Sequence, residues 1–264
     1  MRILFSFLLS FFSLIALAQS DSTIVRRTSL VGVGSVQHLD TYLSPQHYNG
    51  TELRLASQIE RFRPNKKYNI FMINEGSIST SQPKSENMDE LSAFYRFGLG
   101  YFKRWAQIAP NLRLDAGLTA EALAGVNYVV SSSNNPVQVN LSAALAPLVA
   151  GEYDFRFLRK NMMVRYQAQI PLLGVMFSPN YGQSYYEIFG VGNYDRNVCF
   201  TTPFNAPSIH HSLSLDVPMG NGCLRVGYLG DVIQSRVNDI KRHDYTHAVM
   251  IGWVSMFQTH KIRR

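Results

Sequence analysis

The sequence predicts an all-β protein: a transmembrane antiparallel up-and-down β-barrel of about ten strands, with twelve as the alternative count. Three observations predict it. Apolar and polar residues alternate with period two over long stretches. Full charges sit in the middle of those stretches, on the polar side. The gaps between stretches alternate between short and long, as in outer-membrane barrels.

The elements follow in order. The chain opens MRILFSFLLSFFSLIALAQ, with Arg2 as a short basic region and an apolar run from Ile3 to Leu17. Ala16-Leu17-Ala18 offers a small-residue cleavage site, so residues 1–18 read as a secretory signal peptide. The run is short for a membrane anchor, which needs about 20 apolar residues. Residues 19–264 are then expected to form a single barrel domain in an outer membrane, with no helical span. Strands are expected near 29–43, 51–62, 67–80, 90–103, 111–125, 137–156, 161–174, 208–217, 223–235 and 244–257.

The clearest stretch places Leu112, Leu114, Ala116, Leu118 and Ala120 on one face. Arg113, Asp115, Gly117, Thr119 and Glu121 lie on the other. Leu91–Tyr101, Val164–Ile170 and Leu224–Tyr228 repeat the pattern. A tilted strand needs about 9–11 residues to cross a bilayer, whereas soluble strands average about 5–6. A soluble sandwich also alternates, but it would not carry so many charges in mid-strand. Glu52, Arg54, Glu60, Arg96, Arg113, Asp115, Glu121, Arg165, Asp216, Arg225 and Asp231 all fall opposite the apolar set. In a narrow lumen these opposite charges should pair and close it, because porins need wider barrels. A narrow channel is the alternative.

Connections at 63–66, 158–160 and 218–222 are short, and the last is rich in turn formers. Gln82–Asp89, Val126–Pro136 and above all Val175–Pro207 are longer. An even count leaves both termini in the periplasm. Twelve strands result if Ser184–Phe189 and Asn197–Thr202 belong to the wall. With ten, Cys199 lies outside and Cys223 at the periplasmic rim, too far apart for a disulfide. With twelve, the two cysteines approach each other.

Composition fits a lipid-facing protein: 16% of residues are charged and 12% aromatic. The formal net charge is +7, but the basic residues are scattered, with no basic helix face to hold nucleic acid. Outer-membrane lipid and lipopolysaccharide headgroups are the expected partners. No cofactor is expected, and no metal site is read from the cysteines or histidines.

Two features carry candidate function. His210 and Ser212 stand two apart on one strand, the spacing of a base and nucleophile in a lipid or lipopolysaccharide acyl hydrolase, with Glu187 or Asp216 as the orienting acid. Yet Leu213, Leu215 and Val217 take the lipid face, so His210 and Ser212 point inward, which favours a wall role. The loop 175–207 is the other feature, since long loops often carry function. Asn180, Tyr181, Tyr185, Tyr186 and Glu187 are its candidates for contact with a ligand or an envelope protein partner. The expected task is therefore a non-enzymatic structural or binding role in the envelope through this loop, with the acyl hydrolase as the alternative.

Three stretches together resemble a known family: Ser132-Ser133-Asn134-Asn135-Pro136, then Phe177-Ser178-Pro179 through Tyr185-Tyr186-Glu187-Ile188-Phe189, then Gly227-Tyr228-Leu229 with Val237-Asn238. They resemble an uncharacterised family of secreted Bacteroidota proteins, a domain of unknown function. The resemblance implies an envelope protein with a β-barrel-like fold and brings no catalytic residues. The chain departs from outer-membrane convention at its end, where Phe257 is followed by the polar tail Gln258–Arg264.

Overall fold

The structure, a computed structural model, describes residues 23–63, 66–84, 89–130 and 136–259. The expected signal peptide (residues 1–18), the loop tip 131–135 and the basic end of the tail lie outside the described residues.

Among the described residues, twelve strands and one short helix follow in chain order: β1 (Thr23–Asp40), β2 (Ser44–Phe62), β3 (Asn69–Pro83), β4 (Glu90–Ala109), β5 (Leu112–Val129), β6 (Val137–Phe157), β7 (Lys160–Gln169), β8 (Leu173–Phe177), α1 (Tyr185–Phe189), β9 (Val198–Thr201), β10 (Ser208–Met219), β11 (Gly222–Val237) and β12 (Ile240–Thr259). All pairings are antiparallel in one sheet, in the order β5-β4-β3-β2-β1-β12-β11-β10-β7-β6, and β6 pairs back onto β5. Ten strands thus close a ring, and β8 and β9 add to its wall beyond β6. The first and last strands zip together from Thr23 opposite Thr259 to Asp40 opposite Arg242. Closure leaves no long edge with unpaired backbone groups, which is what lets a sheet sit in lipid. Both described ends emerge at one rim, the near end; β8, α1 and β9 lie at the far end.

Several boundaries differ from the sequence expectation. The first strand is Thr23–Asp40 rather than 29–43, because the chain turns at Thr41–Leu43, where the Leu43 N–H donates to the Asp40 carbonyl at 3.0 Å. The expected strand 161–174 is interrupted at Pro171, which has no N–H to donate. Ile170 and Leu172 still donate to the carbonyls of Pro147 and Leu145, so β8 resumes the path along β6. Ser184–Phe189 is not a wall strand. Ser184 accepts from the Glu187 N–H while Glu187 accepts from the Ser184 N–H, a capping box that starts α1. Only Val198–Thr201 of the other candidate segment forms a strand, and it pairs with β8 alone. The loop 175–207 is therefore partly regular. Cys199 and Cys223 are both free, one on β9 and the other at the near-end start of β11.

The molecule is built inside out. Val33, Leu55, Ile78 and Val249 each expose more than half their surface, while Arg54, Glu60, Arg165 and Asp216 are buried. Tyr101, Trp105, Phe157, Trp253 and Phe257 form an exposed aromatic belt toward the near end, as expected at a membrane interface. Tight turns fix the register. At Asn238-Asp239 both φ angles are positive (50° and 59°), the conformation that matches the twist of paired strands. Because side chains alternate, that register decides which charges meet inside.

Candidate functional site

The lumen is filled by three tiers of polar side chains. In the tier nearest the termini, Arg26 sits directly opposite Glu60, and Glu152 directly opposite Arg165. Arg165 bridges Glu60 (2.6 Å) and Glu152; Arg26 bridges the same two carboxylates, with Glu152 at 2.5 Å. Arg113 adds contacts to Glu152 (3.4 Å) and Asp154. Arg225 holds Asp216 through two hydrogen bonds, 2.5 and 2.7 Å. Asp115 accepts from Arg104 at 2.8 Å.

The middle tier joins Arg54 to Glu52 (2.8 Å) and Asp231, and Arg96 to Glu75 (2.8 Å) and Glu121 (3.4 Å). His210 belongs here. Its Nδ1 lies 2.8 Å from Asp231 and its Nε2 3.7 Å from Glu121. His210 and Ser212 both line the lumen, but no hydrogen bond joins them among the described residues. The acid beside His210 is Asp231, not Asp216, which is held by Arg225, and not Glu187, which caps α1. Two interior spaces of about 50 and about 40 Å³ abut this tier, each with room for a few waters.

In the far tier, His38 stands directly opposite Asp244. Its Nδ1 lies 2.8 Å from Asp244 and its Nε2 3.4 Å from the Ser79 hydroxyl. Arg242 forms an ion pair with Asp244 and lies 5.3 Å over the Phe94 ring. Beside them, Glu90 accepts from Ser92 and Asn127, both at 3.0 Å.

A cap crosses the mouth above this tier. The Tyr185 hydroxyl donates to Gln138 Oε1 at 2.8 Å and accepts from the Val139 N–H at 2.7 Å, both on β6. Its ring meets Tyr42, in the β1–β2 turn, at 5.9 Å. β6 and β1 are five steps apart in a ring of ten, so this contact reaches from one side of the mouth to the other. Burial, reinforced by Asp40, pushes the Tyr42 hydroxyl up to about 12, and burial raises Tyr185 as well. Gln183 organises the cap: its Oε1 accepts from the Asn180 N–H and from Asn197 Nδ2 (3.0 and 2.8 Å). The Asn238 side chain donates to the Ser178 and Arg196 carbonyls, both at 3.0 Å. Two of the stretches that carry the family resemblance therefore meet in space.

Of the five loop candidates, Asn180, Tyr185 and Glu187 hold the cap together, while Tyr181 and Tyr186 are outward and exposed. The eight charges placed in the lumen from sequence (Glu52, Arg54, Arg96, Arg113, Asp115, Glu121, Arg165, Arg225) all face inward and are paired. Arg26, Glu75, Glu152, His38, Arg242 and Asp244 were missed as lumen residues. The same alternation marks them: Glu75 and Glu152 keep the inward phase of their stretches, and Arg26 precedes the expected strand start. His243 and His247 are four apart, a metal spacing on a helix. Here they sit on a strand, each against a tyrosine, and no metal-binding group occurs among the described residues.

Ring closure, an apolar exterior and a charge-paired interior define a transmembrane-type β-barrel with a filled lumen. The chain belongs to the DUF3316 family, proteins of unknown function, whose sequence model matches residues 2–264. No curated protein matches the sequence. Among solved structures it is similar to the outer membrane protease OmpT from Escherichia coli (8% identity, TM-score 0.46, covering 90% of this chain and 98% of that one). It is also similar to the transport unit of the autotransporter AIDA-I from Escherichia coli (9%, 0.44, 91% and 92%) and to Neisserial surface protein A (10%, 0.32, 88% and 97%). The hydrogen-bonded ring, not these overlaps, defines the fold.

Proposed function

We propose that the chain is exported by a signal peptide to the outer membrane of a Bacteroidota cell. There it acts as a sealed barrel that presents its cap to the exterior and serves a structural or binding role. Lipid and lipopolysaccharide surround it, and an envelope protein is its partner at the cap. The observation that carries this reading is the continuous ion-paired filling of the lumen beneath a cap spanning the mouth. A channel would need a wetted path, whereas here guanidinium and carboxylate groups are spent on each other. Tyr181 and Tyr186 supply outward aromatic surface, the residue type enriched at contact sites.

Planar-bilayer recording tests the sealed lumen. The purified barrel is expected to give no steady conductance; sustained open levels would refute it. Gel mobility with and without boiling tests the insertion, since a folded membrane barrel in the outer-membrane fraction runs at a heat-dependent position.

A further inference from the structure

We propose that Ser79, His38 and Asp244 form a nucleophilic relay in the far third of the lumen, acting on carboxylic esters with small acyl groups that enter through the far mouth. The three residues come from β3, β1 and β12, so no sequence motif announces them. A carboxylate has no proton to donate, so the 2.8 Å contact to Asp244 places the imidazole proton on Nδ1. In the neutral imidazole, Nε2 then has its lone pair toward the Ser79 hydroxyl at 3.4 Å. This is the order of roles in a serine–histidine–acid relay. The burial gradient also fits: His38 and Asp244 are only 3% and 6% exposed, while Ser79 is half-buried.

Two neighbours supply the rest of a site. The Phe94 ring lies 6.1 Å from the His38 ring and offers an apolar wall to an acyl group. Arg242, 6% exposed, has an Nε with no hydrogen-bond partner among the described residues. An unpartnered guanidinium N–H in the same tier is a donor type suited to an oxygen that gains negative charge. The hydrogen bonds of the cap reach β6 and the β1–β2 and β11–β12 turns, and among the described residues none reaches β3 or β4. The mouth beside Ser79 is thus free of the cap's anchoring bonds.

In the step itself, Ser79 Oγ bonds to the carbonyl carbon as its proton passes to His38 Nε2. The proton then goes to the departing alkoxide as the ester C–O bond breaks, which leaves an acyl-serine and an alcohol. Water attacks the acyl-serine, giving its proton to His38, which returns it to Ser79 Oγ as the carboxylic acid departs. Ester and water become acid and alcohol, with no other reactant. Asp244 is a positioning residue; His38 also faces Glu90 and Arg242.

The test uses the full-length barrel in detergent, with folding of every variant checked by heat-dependent mobility. A small alkyl fluorophosphonate is added, adducts are located by peptide mass spectrometry, and turnover of p-nitrophenyl acetate and butyrate is followed. The expected result is an adduct on Ser79, absent in Ser79→Ala and slowed on the order of a hundredfold or more in His38→Gln. Ser212→Ala should label like the wild type. In Asp244→Asn the residual rate should show a pH midpoint moved downward, a change that loss of packing alone would not produce. A folded wild type without a Ser79 adduct, an equal rate in His38→Gln, or an adduct without turnover of either ester would each overturn the proposal. A conducting lumen would refute the sealed-barrel reading and leave this result untouched.

Discussion

The near-end and far-end tiers of one lumen use the same residue types to different effect. Near the termini, Glu152 alone contacts Arg26, Arg113 and Arg165, and Glu60 is shared by Arg26 and Arg165. Toward the mouth, buried Asp40 Oδ2, Ser81 Oγ and Arg242 Nε find no hydrogen-bond partner among the described residues. A satisfied polar network rigidifies, while an unsatisfied buried polar atom costs roughly 1–3 kcal/mol. The difference teaches where to look for stability and where to look for chemistry: the near tier is a structural plug, and the far tier keeps donors and acceptors in reserve.

The sharpest way to break this contrast is to remove a shared carboxylate. Glu152→Ala takes one carboxylate partner from each of three guanidinium groups, leaving Glu60 to serve both Arg26 and Arg165, and should cost about 3–5 kcal/mol, read from denaturant unfolding in lipid vesicles. Asp40→Ala, in the far tier, should cost less than about 1 kcal/mol in the same assay, since it breaks no ion pair among the described residues. Equal losses would erase the distinction between the tiers.

The next largest effect tests the outside against the inside. Leu55→Arg places a charge on the lipid face and should destabilise the inserted barrel by about 2–4 kcal/mol. If the same change is neutral in vesicles, the exposed apolar face does not meet lipid.

A smaller effect is confined to the cap. Tyr185→Phe removes the bond to Gln138 and leaves the Val139 N–H unpaired, for about 1–3 kcal/mol of local stability. Proteolysis within 178–197 should quicken while global unfolding stays put. Smallest is the effect of alkaline pH. The folded Tyr42 holds its proton up to about 12, above the usual tyrosine value of about 10. Its contribution is therefore complete below pH about 10 and is lost as pH rises toward 12. Protection of the cap amides, taken relative to their intrinsic base-catalysed exchange rate, should fall in that window and not below it; a loss of protection that begins near neutrality would sink the assignment.

Much of this was legible in the chain itself. Alternation at Leu112–Glu121 sets which face meets lipid, because strand side chains point to opposite sides whatever the neighbours are. It therefore fixed the inward phase of Arg54, Arg96 and Arg165 before any pairing was known. The turn chemistry at 218–222 and the long stretch 175–207 were equally local, and so readable. What the sequence could not carry was partnership. His210 next to Ser212 is a local spacing, and it yields no bond between them. His38, Ser79 and Asp244 are far apart in the chain, yet they meet because β1 lies against β12 and β3 stands next but one to β1 in the ring. The helix at 185–189 rather than a wall strand, and the cap that reaches from β6 to β1, follow from contacts made only once the ring has closed. Sequence alone determined the faces; ring closure and register decided which side chains touch, because a one-residue slip in any strand would send a different set inward.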